Sequence, residues 1–339
     1  MKTYLQMLIE DQSLSYEEMK EAAQHLFRDD VTDSEIAAFL VALKSKGETV
    51  DEIAGLIETL LENALPFPKD IKGVLDNCGT GGDSSSSFNI SSTSAFVIAG
   101  AGIKVAKHGN RSVSSKTGSA DVLEALGVNL HMPQEAMEEL LHEIGIAFLF
   151  APHVHPKLGR IMKVRRELKM PTIFNLIGPL TNPIALDYQL VGIYDQKYVD
   201  TFAAVLNKLG RKRAVVINGS GSMDEASLQG ENFISLLENG SIHSFTLTPE
   251  EVGLQTHSNK SIVGGDAQVN AQILRDVLKG KEGAHRDTVL LNAGLGIYAA
   301  GGSATVQEGI QLARESIDSG RAYKTLHRMI ERSMKEGIS

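Results

Sequence analysis

The sequence predicts an α/β protein: a small all-helical N-terminal domain, then a larger domain whose mostly parallel central sheet is covered by helices on both faces. Three observations carry this. Up to Leu65 the chain holds helix signals and almost no strand signal. From Ile71 short apolar runs alternate with amphipathic ones, the grammar of a parallel sheet. At 339 residues, with 42% apolar and 22% charged content, the chain is long enough for two domains with sizeable cores.

The helical part, residues 1–70, opens its runs on three capping boxes: Ser15-x-x-Glu18, Thr32-x-x-Glu35 and Thr49-x-x-Glu52. Ile36, Phe39, Leu40 and Leu43 keep helical spacing, as do Ile53, Leu56, Ile57, Leu60 and Leu61. Gly47 is a helix stop. Pro66 and Pro68 mark a linker. Four short helices make a thin domain, so part of their apolar surface must meet the rest of the chain or a second copy.

Strands are expected at Val74–Asn77, Lys104–Lys107, Ala147–Phe150, Gln189–Ile193, Arg213–Ile217 and Thr288–Asn292. Helices are expected at Ser94–Ala101, Ala120–Leu126, Pro133–Ile144, Tyr198–Leu209, Asp266–Leu278 and Thr305–Ser319, with a last one from Arg321 to about Lys335. Phe233–Glu238 and Ser241–Thr246 flank Asn239-Gly240, a hairpin signal. Ligands of such a sheet bind at the carboxyl ends of its strands.

Bulk numbers exclude several classes. The net charge of −9, from 42 acidic against 33 basic residues, argues against general nucleic-acid binding. No apolar run approaches the roughly 18 residues of a membrane span. The start, Met1-Lys-Thr-Tyr-Leu, lacks the apolar block of a signal peptide. The one cysteine, Cys78, cannot form an internal disulfide, which fits a reducing cytoplasm. Cys78 lies beside a glycine loop, where a small half-buried thiol is the commoner case than a nucleophile.

Chemistry concentrates between Asp76 and Leu126. Gly79, Gly81 and Gly82 free the backbone to turn tightly and approach a ligand closely. Asn89 to Thr93 fall where a helix N-terminus belongs, so amide N–H groups and the positive dipole end face whatever fills the loop. Hydroxyls of Ser87, Ser91, Ser92 and Thr93 add donors. Between Ser84 and Ala120 there is no acid, yet Lys104, Lys107, Arg111 and Lys116 are present. Such a stretch reads as an anion site for phosphate or diphosphate. It is neither a Walker A loop nor a dinucleotide fingerprint. Asp224-Glu225, in a Gly/Ser loop directly after the Arg213–Ile217 strand, are hard-cation ligands of the kind that bridge Mg²⁺ to substrate phosphates. Between the two, Pro152 to Pro183 interrupts the pattern with a basic run, Arg160 to Leu168, and a Pro/Gly-punctuated segment.

Gly79-Thr-Gly-Gly-Asp83, Asn89-Ile-Ser91-Ser92, Lys107-His-Gly-Asn-Arg-Ser-Val-Ser-Ser115 and Gly118-Ser-Ala-Asp121 are similar to the motifs of anthranilate phosphoribosyltransferases, a class sharing its fold with pyrimidine nucleoside phosphorylases. The resemblance covers essentially the whole chain. Ser92 stands where that family usually has Thr, and the hydroxyl is kept. The resemblance implies phosphoribosyl transfer from 5-phosphoribosyl 1-diphosphate (PRPP) to the amine of anthranilate, in tryptophan biosynthesis, by a cytoplasmic homodimer joined through its helical domain. It implies that about 156–187 packs into the helical domain, leaving 71–155 and 188–339 as the α/β domain. It implies a donor site of Gly79, Gly82, Asp83, Ser87, Asn89, Ile90, Ser91, Ser92, Lys107, His108, Gly109, Asn110, Arg111, Ser112, Val113, Ser114, Ser115 and Ser119. Gly79, Asn110 and Arg165 would meet the acceptor, with His108 and His155 lining its channel. Ser91, Asp224 and Glu225 would place Mg²⁺. No side chain is expected as an obligatory nucleophile or base. A phosphorylase of the same fold and a catalytically silent relative are the alternatives. The Asn-Arg-Ser-Val-Ser-Ser loop disfavours the first, and the presence of Lys107, Arg165, Asp224 and Glu225 the second.

Overall fold

All three capping boxes form, each with its hydroxyl accepting from the third helical N–H and its glutamate reaching back. In this computed structural model, which describes residues 1–68, 71–112 and 116–335, they open α2 (Tyr16–His25), α3 (Asp33–Lys46) and α4 (Val50–Glu62), after a first helix α1 (Lys2–Ile9). Gly47 ends α3 at φ +88°, where a side chain would be strained. Glu52 does more than cap. Its buried carboxylate takes Thr49 N–H at 2.8 Å, Leu14 N–H at 2.9 Å and the Lys46 ammonium at 2.9 Å. One side chain thereby joins the α1–α2 connection, the end of α3 and the start of α4.

Beyond the linker come β1 (Val74–Gly79), α5 (Ile90–Gly100), β2 (Lys104–Gly109), α6 (Ser119–Leu126), α7 (Gln134–Glu143) and β3 (Ile146–Phe150). The short α8 (Ala151–Val154) and basic α9 (Gly159–Leu168) interrupt the alternation. It resumes with β4 (Tyr188–Gly192), α10 (Val199–Lys208), β5 (Arg213–Asn218) and the hairpin β6 (Asn232–Glu238) and β7 (Ser241–Leu247). Helices α11 (Ala267–Leu278), α12 (Ala284–Ala299), α13 (Val306–Asp318) and α14 (Arg321–Lys335) complete the described chain.

The strands form one sheet in the order β3-β2-β1-β4-β5-β6-β7. The first five pair parallel; the hairpin extends them antiparallel. Strand side chains alternate between two cores, as a period of two requires. Leu190, Val215 and Ile217 face the core of α5, α11, α12 and α13. Val191, Ala214 and Val216 face a second core shared with α10 and the N-terminal helices. Ile161 and Val164 of α9, with Ile173, Leu176, Ile177 and Leu180, bury in that same second core.

Thr288–Asn292 is a correction. The expected strand is the middle of α12, a helix buried on nearly all sides. A short continuous apolar run looks alike in a buried strand and a buried helix. Gly294 and Gly296 decide for close helix packing: a Cβ there would lie 2.5 Å from Ile310 Cγ1 and from Ile98 Cδ1. Helix α5 also begins earlier than expected, at Ile90.

Candidate active site

From β1 the chain runs outward to β2 and β3, then returns to β4 on the other side of β1. That reversal leaves a crevice at the carboxyl ends of β1 and β4, where open α/β sheets bind ligands. Gly79 and Gly192 end the two strands side by side. Both are bare so that the Asp224-Glu225 loop can lie on the sheet edge. A Cβ on Gly79 would stand 2.2 Å from Asp224 Oδ2, and one on Gly192 1.7 Å from the Asp224 carbonyl oxygen. Gly219 is tied likewise, 2.0 Å from the Glu225 carbonyl oxygen. Sequence reasoning missed Gly192 because its requirement comes from another loop, and Gly219 because the loop that crowds it folds back on itself, through a Gly219–Met223 bridge, to reach it.

The predicted anion loop and the predicted metal pair meet here. Gly81 N–H donates to Asp224 Oδ2 at 2.6 Å, and Ser91 N–H, in the first turn of α5, to Glu225 Oε1 at 3.2 Å. Gly81 and Gly82 take φ of +71° and +82°, the left-handed turn that glycine permits. Burial, then the charges of Asp83 and Glu225, push the Asp224 carboxyl well above its ordinary range. Glu225 is raised too, again first by burial, with Lys107 opposing. Asp83 Oδ2 is buried without a partner among the described residues. Asp83 thus belongs with the carboxylate pair as much as with the donor loop. Among the described residues no three acids, histidines or cysteines form a ready metal cage. The oxygens present still suit Mg²⁺, which keeps waters and binds through one or two carboxylates plus substrate phosphates.

Lys107 is buried and donates to Asn77 O at 2.7 Å; Asn77 Nδ2 in turn holds Ser91 O at 2.8 Å. Ser119 Oγ accepts from Asn110 N–H at 3.1 Å. Ser112 N–H reaches Asp121. The Asn89 side chain bonds Asn270 and Thr117. A Cβ on Gly82 would lie 3.8 Å from the Tyr194 ring, an ordinary contact. Arg111 points elsewhere: its guanidinium pairs with Asp121 at 3.0 Å and Glu124 at 2.8 Å. Val113, Ser114 and Ser115 lie outside the described residues. Cys78 has its thiol pushed up to about 12, chiefly by burial, so it stays neutral.

A short run of the interrupting segment is held by side chains of the sheet and by His155. His108 Nδ1 bonds Gly178 O at 3.2 Å, Gln189 Nε2 donates to Pro179 O at 2.6 Å, and His155 Nε2 bonds Thr181 O at 2.7 Å. Asn182 Nδ2 donates to Asp76 Oδ2 at 3.0 Å and Ala106 O at 2.8 Å. Both histidine rings therefore carry hydrogen on the bonded nitrogen and stay neutral; burial brings His108 down to about 3. His108 Nε2 is buried without a partner among the described residues. Burial lifts the Asp76 carboxyl to about 6.

Arg165 sits in α9 with its guanidinium over the Phe174 ring at 5.1 Å and one nitrogen 3.4 Å from Asn175 Oδ1. Burial brings it down to about 10, so it remains a cation. Its neighbours Arg160 and Lys163 are paired with Asp33. Among the described residues, the Arg165 guanidinium thus has only neutral partners.

Known proteins share this sequence and fold. Residues 2–64 match the helical bundle domain and residues 71–323 the a/b domain of the Glycosyl transferase family. A protein of Bacillus mycoides named anthranilate phosphoribosyltransferase is 56% identical over 333 residues, 98% of each chain. The crystal structure of anthranilate phosphoribosyltransferase from Thermus thermophilus superposes with a TM-score of 0.93 at 40% identity, covering 98% of this chain and 99% of that one. The Saccharomyces cerevisiae enzyme in complex with PRPP and Mg gives a TM-score of 0.89 at 26% identity over 98% and 97%. By these shared residues and this shared architecture, the chain belongs to the glycosyl transferase family and, within it, to the anthranilate phosphoribosyltransferases.

Proposed function

We propose that the chain transfers the phosphoribosyl group of PRPP to the amine of anthranilate, giving N-(5-phosphoribosyl)anthranilate and diphosphate in tryptophan biosynthesis. The observation that carries this is the gathering of the glycine loop, the α5 N-terminus and the Asp224-Glu225 loop at the ends of β1 and β4. Glycine-loop and helix amides, Lys107 and a carboxylate pair meet there, and Arg165 of α9 is paired with no carboxylate among the described residues.

Gly79 to Asp83, Ser87, Asn89 to Ser92, Lys107 and the loop from His108 to Ser115, with Ser119, hold the donor, Arg111 by bracing that loop on Asp121 and Glu124. Asp224 and Glu225, with Ser91, hold Mg²⁺, and the partnerless Asp83 oxygen supports a fourth ligand oxygen nearby. When bound, Mg²⁺ neutralises charge growing on the departing diphosphate. Lys107 and the α5 N-terminus stabilise the same charge, Lys107 exchanging its Asn77 carbonyl for the diphosphate. The Arg165 fork takes the acceptor carboxylate. Gly79 and Asn110 bound the acceptor on the donor side. The amine of anthranilate is neutral at pH 7, so orientation replaces a strong base. His108, held neutral by burial, lines the acceptor channel with its Nε2 and is not an indispensable base.

Residues 1–70 with about 156–187 act as one domain and 71–155 with 188–339 as the other; the shared second core supports this. We place the protein in the cytoplasm, supported by its single thiol and by the absence, among the described residues, of a helix long and apolar enough to cross a membrane. We infer a homodimer through the helical domain, supported by Ile9, 72% exposed on α1. Anthranilate fluorescence should disappear on adding PRPP and Mg²⁺. Unchanged fluorescence with folded protein would rule the reading out.

A further inference from the structure

A closed ring of hydrogen bonds joins three segments that are distant in the chain. Gly265 N–H donates to Asn270 Oδ1 at 2.7 Å, and Asn270 Nδ2 donates to Asn89 Oδ1 at 2.9 Å. Asn89 Nδ2 donates to Thr117 O at 3.3 Å, and Thr117 Oγ1 returns to Gly265 O at 2.9 Å. Asn270 is 2% exposed and Thr117 7%. A fully satisfied buried network of this kind rigidifies what it joins. The backbone is stitched beside it: Phe88 N–H donates to Ile262 O at 3.1 Å, and Gly264 N–H to Ser86 O at 2.9 Å. A Cβ on Gly264 would lie 2.6 Å from Asn270 Oδ1 and 2.8 Å from Phe88 Cα, so glycine is what lets the two segments touch.

The ring has a consequence at Asn89, the residue that precedes α5. Asparagine at that position ordinarily turns its side-chain oxygen onto an N–H of the helix's first turn. Asn89 makes no such bond. Asn270 and Thr117 hold its carboxamide sideways by both ends, and the Ser91 N–H meets Glu225 instead.

We propose that Asn270 is a positioning residue for the donor half of the site: it keeps Asn89 from capping its own helix and so leaves the Ser92 N–H to the donor's phosphates, the Ile90 and Ser91 N–H groups being held by Phe88 O and Glu225. This rests on the donor assignment above. Without Asn270, the Asn89 oxygen swings onto the Ser92 N–H, as a helix-capping asparagine does, and competes with the incoming anion.

The test is steady-state kinetics of Asn270→Ala with each substrate varied, beside melting curves. The loss of one well-made hydrogen bond and its competition sets the expected rise in donor KM at about tenfold, with acceptor KM changed by less than about twofold. In an Asn89→Ala background the same substitution should add less than roughly twofold, because the side chain it restrains is gone. Equal rises in both KM values overturn the inference, as does a full second rise in the Asn89→Ala background; Asn270 is then only packing. Should Asn270→Ala fail to fold, Thr117→Val cuts the ring at its other end while keeping shape. It should raise donor KM selectively, and an unchanged ratio of the two KM values overturns the proposal. Turnover by the parent chain separates the two levels. Its absence removes the functional reading and this inference with it, whereas turnover without the selective effect removes this inference alone.

Discussion

Arg165 and His108 show how one residue's surroundings select its task. Arg165 keeps its charge on an aromatic face, bonded only to Met162 and Asn175 among the described residues. A charge-assisted hydrogen bond contributes about 1.5–3 kcal/mol, or roughly ten- to two-hundredfold in affinity. Arg165→Ala should therefore raise the KM for anthranilate by that factor and leave PRPP affinity nearly unchanged, by kinetics and calorimetric titration. Arg165→Lys should recover little, since an ammonium cannot make the planar fork. His108 makes a prediction about pH. Its folded pKa, about 3, lies below its unfolded value, so the unfolded chain takes up the proton first. Stability contributed by neutral His108 is then present above about pH 6.5 and lost as pH falls toward 3. By pH 5 the loss amounts to about 2 kcal/mol. Melting curves of His108→Asn should fall less steeply than those of the parent between pH 7 and pH 5; parallel curves would contradict the assignment.

At the scale of elements, strand ends and helix starts do most of the positioning. Gly192 ends β4 under the Asp224 carbonyl, 1.7 Å from where a Cβ would stand. The obstructing atom is backbone, so the loop must move. Gly192→Ala should remove Mg²⁺-dependent turnover almost entirely while the helical domain keeps its fold, as circular dichroism and an activity assay over a Mg²⁺ series would show. In the helical part, Thr49→Ala removes one cap and should cost about 1 kcal/mol. Glu52→Ala strands the buried Lys46 charge and frees two backbone N–H groups. It should cost about 3–5 kcal/mol. Denaturant unfolding of both variants checks the ranking. These elements were legible in unequal measure. The three capping boxes could be read because a cap is a contact over three residues. The loop at Gly79 could be read because glycines, hydroxyls and cations sit together in the chain. Gly192 carried no signal, since the loop that needs it bare arrives from beyond β5.

For the whole molecule, α1 leaves Ile9 72% exposed on the helical domain, and a second copy covering that surface is the expected assembly. Light scattering should give twice the chain's mass of 36.6 kDa at micromolar concentration, and Ile9→Glu should shift it toward monomer. The amino-acid sequence by itself determined the class of fold, the helical start, the alternation of strands and helices, and the chemistry of the anion loop and carboxylate pair. All of these depend on neighbours within a few turns of chain, where propensity, period and capping act. Tertiary structure decided the rest. It made Thr288–Asn292 the centre of a buried helix, because glycines at 294 and 296 admit other helices closely. It turned Arg111 onto Asp121 and Glu124, and gathered Asp83 with Asp224 and Glu225. It set Asn270 against Asn89 across 181 residues of chain. Such pairings exist only once the sheet order has closed, because no local preference encodes which distant backbone will come to lie beside a given side chain.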